Sequence, residues 1–403
     1  MLCRAILVFT LAAFPAGAHD LRGHGGPVRA LAAGEDGRIY SGSFDTRAIV
    51  WDDAIAARIT RHHAGEVTAV LPLPGGGFAS GGQDGQVAIW GAGPEPVLSE
   101  IWHQMPVVAL APWSGGLASG GWEGRIALWS GSGSPNYISA HDGQIIGLVA
   151  FAGGLASVGA DMRLRLWTAQ GAPGQQTRLS APASGLATDE EALFLSSPDG
   201  TLRRIVPGTP AREVALSARP LLSVAAGEGL VATADLSGQV WLLNAETLET
   251  RATMSSGQGP IWALAIEGET VFTGGNDGLI RRWTLDGVAL GDGSGQPDPT
   301  LVSPRGAEVF RACAVCHTLT PEDGGRAGPS LHGIFGRRIG TARGYDYSSA
   351  LKSLDIVWTP QTVSELFEFG PDAYTPGSRM PEQRVPSAED RRALIRFLKT
   401  VTR

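Results

Sequence analysis

The chain is poor in cysteine, in long apolar runs and in basic charge. Only 3 of its 403 residues are cysteine, which excludes a disulfide-rich scaffold. Its 32 Lys and Arg are outnumbered by 39 Asp and Glu, and the formal charge of −7 argues against a general nucleic-acid binder. Beyond the N-terminal region, no apolar run approaches the length that spans a membrane. We therefore expect no nucleic-acid partner and no integral membrane segment in the mature protein.

The N-terminal region has the three parts of a secretory signal. Arg4 supplies the positive charge, residues 5–14 form a short apolar run, and an A-x-A cleavage pattern ends at Ala18. A membrane anchor is the alternative, but the apolar run is too short to cross a bilayer. We expect residues 1–18 to be cleaved, together with Cys3, and the mature protein to be exported, soluble and periplasmic.

From residue 20 to about 290 the sequence repeats, with a period of about 39 residues. Each copy has an acidic residue six positions before an apolar residue, which is tryptophan in six copies of seven. The pairs are Asp45 and Trp51, Asp84 and Trp90, Glu123 and Trp129, Asp161 and Trp167, Asp199 and Ile205, Asp235 and Trp241, and Asp277 and Trp283. Tails such as residues 86–90 alternate as half-buried strands do, and the 56 glycines favour many tight turns. The pattern predicts a repeated unit of β-strands with the acid in a turn, where carboxylates often accept backbone N–H bonds.

This repeat resembles the WD-repeat family of β-propellers, whose repeats run to about 40–45 residues. The resemblance implies seven blades of four strands, held by a hydrogen-bonded network of His, Ser or Thr, Asp and Trp. The matching histidines and hydroxyl residues are His24, His63, His103 and His141 with Ser41, Ser80, Ser119 and Ser157. We interpret these histidines as structural. Copies five to seven lack the histidine, so we expect incomplete networks there; either residues 19–23 or residues 287–290 complete the ring.

After the repeats the character of the sequence changes. Residues 286–302 are dense in Gly, Asp, Ser and Pro, which predicts a linker between a propeller of residues 19–285 and a helical domain of residues 303–403. In the last domain, Thr359 and Ser387 have the sequence context of helix starts.

Residues 313–317 spell C-x-x-C-H, the attachment motif of c-type haem. At this spacing Cys313 and Cys316 can bond to two vinyl groups of one haem, and His317 becomes the proximal ligand of the iron. The alternatives are a redox dithiol, which would be expected in a βαβ setting, and a structural zinc site, which needs four ligands. The βαβ setting is absent from this sequence. The four zinc ligands are also absent, because the mature chain has no other cysteine and His332 is the only other histidine of this domain.

Met380 is the sole methionine of the domain, and it follows a Pro-Gly turn rather than lying on an apolar stripe. Filling of the core is the usual role of an isolated methionine. The position of Met380 predicts instead the sixth ligand of the iron, with His332 as the second candidate.

The domain resembles class I cytochromes c, including the mitochondrial type, over nearly all its length. The resemblance is carried by residues 328–337 (GPSLHGIFGR) and 344–347 (GYDY), and by Gly306, Phe310, Leu394 and Phe397 in the first and last helices. It implies that the Pro329 carbonyl accepts a hydrogen bond from His317, which fixes the ring. It also implies that Arg337, Tyr347 and Trp358 help to hold a haem propionate.

Two positions on the methionine side of the haem depart from the family. Leu351 replaces an asparagine, and Leu366 or Phe367 replaces a tyrosine, so this side is more apolar. The domain also has only two lysines, Lys352 and Lys399. Family members that dock through a ring of lysines are therefore an imperfect guide to how this domain binds a partner.

Together these observations predict a multidomain chain in which an all-β seven-bladed propeller is followed by a small all-α class I cytochrome c domain with one covalent haem c. With His317 and Met380 both bound, the iron has no open position, so we expect a one-electron carrier rather than an enzyme. The propeller is then a docking platform for a protein partner, beside a separate redox partner. Two alternatives remain, namely the electron-accepting subunit or domain of a periplasmic oxidoreductase and a redox-sensing scaffold.

Charge is divided unequally between the two regions. Residues 19–299 contain 17 basic and 28 acidic residues, a net −11, whereas residues 300–403 contain 14 and 11, a net +3. Fields of opposite sign either dock the two domains or steer a redox partner.

Overall fold

The computed structural model describes residues 20–53, 55–114, 116–131, 133–291, 304–319 and 327–402. The predicted signal, and the predicted linker from residue 292 onward, lie outside these ranges. None of the helices within them is long and apolar enough to cross a membrane.

Within the described ranges, 28 strands form seven four-stranded antiparallel sheets, each the blade of a propeller. The blades, one to seven, are β2 (Val28–Ala33), β3 (Ile39–Ser43), β4 (Arg47–Asp52) and β5 (Ile55–Arg61); β6 (Val67–Leu73), β7 (Gly77–Gly82), β8 (Gln86–Trp90) and β9 (Pro96–Ile101); β10 (Val107–Trp113), β11 (Gly116–Gly121), β12 (Arg125–Trp129) and β13 (Asn136–Ser139); β14 (Ile145–Phe151), β15 (Gly154–Gly159), β16 (Arg163–Trp167) and β17 (Pro173–Arg178); β18 (Gly185–Thr188), β19 (Leu193–Ser196), β20 (Thr201–Ile205) and β21 (Arg212–Ala215); β22 (Leu221–Gly227), β23 (Leu230–Asp235), β24 (Gln239–Asn244) and β25 (Thr250–Ser255); β26 (Ile261–Glu267), β27 (Thr270–Gly275), β28 (Leu279–Thr284) and β1 (Leu21–Arg22). The predicted seven blades of four strands are confirmed.

The ring is closed by the N-terminal strand. β1 pairs with β28 in antiparallel register, with Leu21 opposite Ile280, so blade seven is built from both ends of the propeller sequence. The N-terminal segment therefore supplies its outer strand. Residues 287–290 also lie against β28, because Ala289 forms an isolated bridge with Trp283 and the Leu290 N–H donates to the Arg282 carbonyl over 2.9 Å. Ring closure pairs a strand edge that would otherwise be open to other chains.

The apolar cores lie between neighbouring blades. Tyr40 and Val50 of blade one are buried with Phe78 and Trp90 of blade two, and the Phe78 and Trp90 rings stack with their centroids 5.6 Å apart. A fully buried side chain of this size contributes about 1.5–3 kcal/mol. Each blade is thus stabilised by its neighbours, which explains why a large apolar residue, tryptophan in six repeats of seven, recurs at this position.

The predicted polar network is present in full in blade one. His24 Nε2 lies 2.7 Å from Ser41 Oγ, and its Nδ1 lies 3.1 Å from Asp45 Oδ2. The Trp51 indole donates to the same hydroxyl over 2.7 Å. Blades two and four repeat this arrangement with His63, Ser80, Asp84 and Trp90, and with His141, Ser157, Asp161 and Trp167. The acids also accept backbone N–H groups of their own turns, as predicted; the Arg47 N–H, for example, donates to Asp45 over 3.0 Å.

Blade three keeps only part of the network. His103 contacts Ser119 and Glu123 as predicted. The indole of Trp129, however, donates to the Gly133 carbonyl over 3.0 Å and not to the serine. The hydroxyl of blade three therefore has one network partner fewer than that of blade four.

The expectation that the last three networks are incomplete is wrong for blade seven. There Gln258 takes the place of the histidine: its Nε2 donates to Asp277 over 2.8 Å, and its Oε1 accepts from Thr273 over 2.8 Å. The Trp283 indole donates to the same threonine hydroxyl over 3.0 Å. An amide satisfies the acid and the hydroxyl because it presents a donor nitrogen on one side and an acceptor oxygen on the other, as a neutral imidazole presents a donor and an acceptor nitrogen.

Blades five and six have other arrangements. Asp199 is paired with Arg203 over 2.8 Å in blade five, and Asp235 accepts from the Ser217 hydroxyl over 2.9 Å in blade six. These carboxylates thus bind a guanidinium or a hydroxyl where the other blades present an imidazole or an amide.

The C-terminal domain is helical, as predicted. Its helices are α1 (Pro304–Ala314), α2 (Ser349–Ser353), α3 (Pro360–Phe369), α4 (Pro371–Tyr374) and α5 (Ala388–Val401). The predicted starts of two helices are confirmed, because Thr359 caps α3 and Ser387 caps α5 through their side chains.

Helices α1 and α5 cross in close contact. The Phe310 and Phe397 rings have centroids 5.3 Å apart. At Gly306 a Cβ would lie 2.5 Å from both the Ala393 carbonyl oxygen and the Phe397 Cβ. The crossing therefore requires glycine at this position, and it fixes α1, which carries the first cysteine of the motif.

Candidate haem site

An apolar pocket occupies the centre of the helical domain. It encloses about 1130 Å³ of empty space, including its open mouth, which is large enough for a sizeable flat ligand. Its walls are mostly aliphatic and aromatic, and they include Phe310, Leu331, Ile334, Leu351, Val363, Leu366, Phe367, Leu394 and Leu398. The two family departures, at residue 351 and at residues 366–367, thus lie in the pocket wall.

The structure brings all the predicted site residues to this one pocket. They are Cys313, Cys316, His317, Pro329, Arg337, Tyr347, Trp358 and Met380. His332, the second candidate for the sixth ligand, is not among the lining residues. The roles of the eight residues towards a haem stay predictions.

The histidine of the motif is held in one orientation. The N–H groups of Cys316 and His317 donate to the Cys313 carbonyl over 3.1 and 2.9 Å, so the motif continues the last turn of α1. His317 Nδ1 lies 2.8 Å from the Pro329 carbonyl oxygen. Because a carbonyl only accepts, Nδ1 carries the proton, and Nε2 is the nitrogen suited to a metal. A Cβ on Gly328 would collide with this ring, so glycine is required beside it.

The first cysteine is deeply buried in the pocket. Burial, and next the neighbouring Cys316, raise the pKa of the Cys313 thiol to about 12. No disulfide joins the two residues. A catalytic redox dithiol works through a lowered thiol pKa, so this environment disfavours that alternative.

The loop that carries Met380 is tied down by short-range hydrogen bonds. The Met380 N–H donates to the Ser378 hydroxyl over 3.0 Å, and the Ser378 N–H donates to the Thr375 carbonyl over 3.0 Å. The Ser348 hydroxyl also donates to the Gly377 carbonyl over 3.0 Å. The half-buried thioether is thereby held at the pocket by the Pro-Gly turn that the sequence indicated.

Two polar side chains lie at the pocket wall, the half-buried Arg337 and the buried Tyr347. The Arg337 guanidinium donates to the carbonyls of His332 and Ser330 over 3.0 and 2.6 Å, and desolvation lowers its pKa. Desolvation raises the pKa of the Tyr347 phenol, so it remains a donor at neutral pH. A cation and a phenol in an apolar wall suit the carboxylates of a ligand.

The donor set fits a haem. The pocket combines two thiols at the attachment spacing, a fixed imidazole and a thioether with apolar walls. In the described part of the chain, no group of three or more His, Cys, Asp or Glu side chains is arranged to hold a metal ion.

Sequence reasoning missed one wall residue. Phe44, which belongs to blade one of the propeller, lines the same pocket. It precedes the acid of the first repeat, and nothing in the sequence connects it with a domain that begins some 260 residues later.

Comparison with known proteins identifies both parts of the chain. The cytochrome c family profile matches residues 303–402, and the profile "WD domain, G-beta repeat" matches residues 18–52 and 56–91. Cytochrome c of Gibberella zeae is 40% identical over 100 residues, which is 25% of this chain and 93% of that protein. Cytochromes c of Arabidopsis thaliana and Ulva intestinalis are 41% and 39% identical over 100 and 99 residues, and each is covered to 88% of its length. These relatives correspond to the C-terminal domain.

Proposed function

Because this chain belongs to the cytochrome c family through residues 303–402, we propose that it is an exported one-electron carrier whose haem iron is bound by His317 and Met380. Membership of the family means that the domain carries one covalently bound haem c, and the relatives point to electron transfer rather than catalysis. The ligand pair, the export and the docking role of the propeller are the parts that we propose.

One observation carries the ligand assignment: Cys313, Cys316, His317 and Met380 line the same apolar pocket. When bound, the haem supplies a one-electron iron couple. The two thiols anchor it covalently, the Pro329 carbonyl orients the His317 ring, and the Met380 loop presents its sulfur. The apolar walls exclude water, which favours the less charged form of the iron centre.

The decisive experiment is purification from a host that matures c-type haem. We expect a coloured protein whose mass exceeds that of the polypeptide by one haem. A colourless product with the bare polypeptide mass, from a host that loads a control cytochrome, would refute the assignment.

Variants of the sixth ligand test the methionine. Met380→Ala should open the iron to added imidazole and lower its midpoint potential, because thioether ligation raises the potential. Met380→His should keep the iron closed but also lower the potential. Met105, a methionine on the propeller that is 45% exposed, provides the matched control, and Met105→Ala should behave as the wild type. An unchanged potential in Met380→Ala would exclude this ligand.

The proposed export rests on the N-terminal pattern that ends at Ala18. We expect the loaded protein in the periplasmic fraction, with His19 as its first residue. A product that retains Met1 in the cytoplasmic fraction would contradict this part alone and would leave the electron-carrier assignment standing.

The docking role of the propeller rests on its closed ring and on its charge of −11 opposite +3 for the cytochrome region. Steering by these fields requires that the rate of electron exchange with a protein partner depend strongly on salt, because screening at 0.15 M acts over about 8 Å. A rate independent of salt would leave the opposite charges without a role in steering.

A further inference from the structure

The propeller touches the cytochrome domain at a segment next to the haem motif. The Ala327 N–H donates to the Gly25 carbonyl over 2.9 Å. A Cβ built on Gly26 would lie 3.2 Å from the Ala327 Cβ. The absence of a side chain at Gly26 therefore lets Ala327 of the other domain approach blade one closely.

The same segment holds the proximal side of the haem pocket. The Ala327 carbonyl accepts from the Tyr345 hydroxyl over 2.6 Å, and the Gly328 N–H donates to the Cys316 carbonyl over 2.8 Å. The next residue, Pro329, is the acceptor for His317. Three consecutive residues thus connect the propeller, the attachment motif and the histidine.

The mouth of the haem pocket faces the propeller. An interdomain cleft of about 1640 Å³, open to solvent, is bounded by residues of both domains. It shares eight lining residues with the haem pocket, so the two spaces are continuous: Phe44, Ala327, Tyr345, Asp346, Ser378, Arg379, Met380 and Pro381. Of the described propeller residues, Phe44 is the one that lines both. It is half-buried, and it lies between the cleft and the pocket.

The propeller fold itself does not require an aromatic residue at this position. In each of the first four blades, the residue before the acid donates its N–H to a carbonyl of the preceding loop, over 2.8 to 3.0 Å. These residues are Phe44, Gln83, Trp122 and Ala160. Because the turn accepts Gln and Ala equally, the phenyl ring of blade one is available for a contact outside the blade.

We propose that Phe44 is a cofactor-contact residue which the propeller contributes to the haem site. It shields the edge of the haem at the cleft from water and so holds the reduction potential up. This inference rests on the proposed function. The physical reason is that oxidised iron carries one more positive charge, and water stabilises that charge better than an apolar wall does.

The test uses the full-length loaded protein and compares Phe44→Ala with Trp122→Ala. Trp122 occupies the equivalent turn of blade three, is 40% exposed and does not line the haem pocket. Phe44→Ala should lower the midpoint potential. A shift of ~59 mV corresponds to a tenfold change in the ratio of reduced to oxidised protein at a fixed potential. Trp122→Ala should have the midpoint potential of the wild type.

A second variant separates loss of the ring from damage to the blade. Gly26→Met gives blade one the residue that blade three has at the equivalent position, Met105, which also precedes a proline. Blade three accepts this side chain, whereas at Gly26 a Cβ would lie 3.2 Å from the Ala327 Cβ, in addition to contacts of 3.3 Å with the Asp45 nitrogen and the Phe44 Cβ of its own turn. The variant should wedge the domains apart, with the same fall in potential as Phe44→Ala and no loss of propeller circular dichroism.

The outcomes are distinguishable. A loaded wild-type protein in which Phe44→Ala behaves as Trp122→Ala, or in which Gly26→Met leaves the potential unchanged, overturns the role of the propeller but not the electron carrier. A wild-type protein without haem overturns both.

Discussion

Gln258 donates a hydrogen bond from Nε2 to Oδ1 of Asp277 over 2.8 Å, in the place where four other blades use a histidine. The amide gains no proton between neutral and mildly acidic pH, whereas an imidazole does. Blade seven therefore shows that the histidine position of the network needs a donor and an acceptor but not a titratable side chain.

We expect the propeller to lose stability as the pH falls from about 7 to about 5. Desolvation lowers the pKa of His103 and of His141 below the usual 6.5. Below pH 6.5 the histidines of the unfolded chain take up protons that the same histidines in the folded blades exclude. The free energy of unfolding therefore decreases as the pH is lowered, until the pH lies below the pKa of the folded histidines. Each unit of pKa depression corresponds to about 1.4 kcal/mol. Thermal unfolding followed by circular dichroism measures the slope.

His103→Gln copies the solution of blade seven and should flatten that slope. His62, an exposed histidine of the same propeller, provides the control, and His62→Gln should retain the slope of the wild type. A slope unchanged in His103→Gln would show that this histidine does not cause the loss of stability.

The contribution of the network hydroxyl to the free energy of unfolding should differ between blades. Ser157 is fully buried, and its Oγ has both the His141 ring and the Trp167 indole as partners, at 2.8 and 2.9 Å. Ser157→Ala leaves both without this partner, so we expect it to cost about 1–3 kcal/mol in the free energy of unfolding.

Ser119 is the matched control, because it is equally buried but has only the histidine as a network partner. Ser119→Ala should cost less than Ser157→Ala in chemical denaturation. Equal costs would mean that the indole contributes nothing through this hydrogen bond.

The crossing of α1 and α5 should not tolerate a methyl group at Gly306. Since a Cβ there would lie 2.5 Å from Phe397 Cβ, Gly306→Ala should destabilise the haem domain by about 1–3 kcal/mol. Denaturation followed by haem absorbance measures this. Arg311→Ala, at an exposed position of the same helix, should remain within about 0.5 kcal/mol of the wild type.

Leu351 should help to set the reduction potential. It lines the haem pocket in the place of a family asparagine, so Leu351→Asn adds a dipole that stabilises the oxidised form. We expect a lower midpoint in a redox titration. Leu354→Asn is the control, because Leu354 is half-buried just after α2 but does not line the pocket; equal midpoints in the two variants would refute the idea.

The sequence was sufficient to predict the features that repeat at a fixed period or lie within one contiguous motif. The acid and tryptophan spacing predicted seven blades, and the C-x-x-C-H motif, the GPSLHGIFGR run and Met380 predicted residues that the structure gathers in one pocket. Such features follow from local chain geometry, or from a fold whose motifs are themselves distinctive.

The rest depends on contacts between distant segments. The sequence pattern did not predict the role of Gln258, because the family pattern specifies histidine at this position whereas the network requires only a donor and an acceptor. It lies 19 residues before its acid, and this position could have revealed it. Phe44 had no such signal, because the turn that carries it accepts several residue types and the packing of one domain on another leaves no local period.

β1 is synthesised before the other described strands, and its partner β28 is synthesised after them. β1 can pair only when residues 279–284 exist, and the haem-binding motif is encoded beyond them. Any chain long enough to hold iron therefore already contains both halves of the seam, and a product truncated before the seam has neither a closed ring nor a redox centre. Because the motif follows β28 in the chain, any C-terminal truncation that removes the closing partner of β1 also removes the motif.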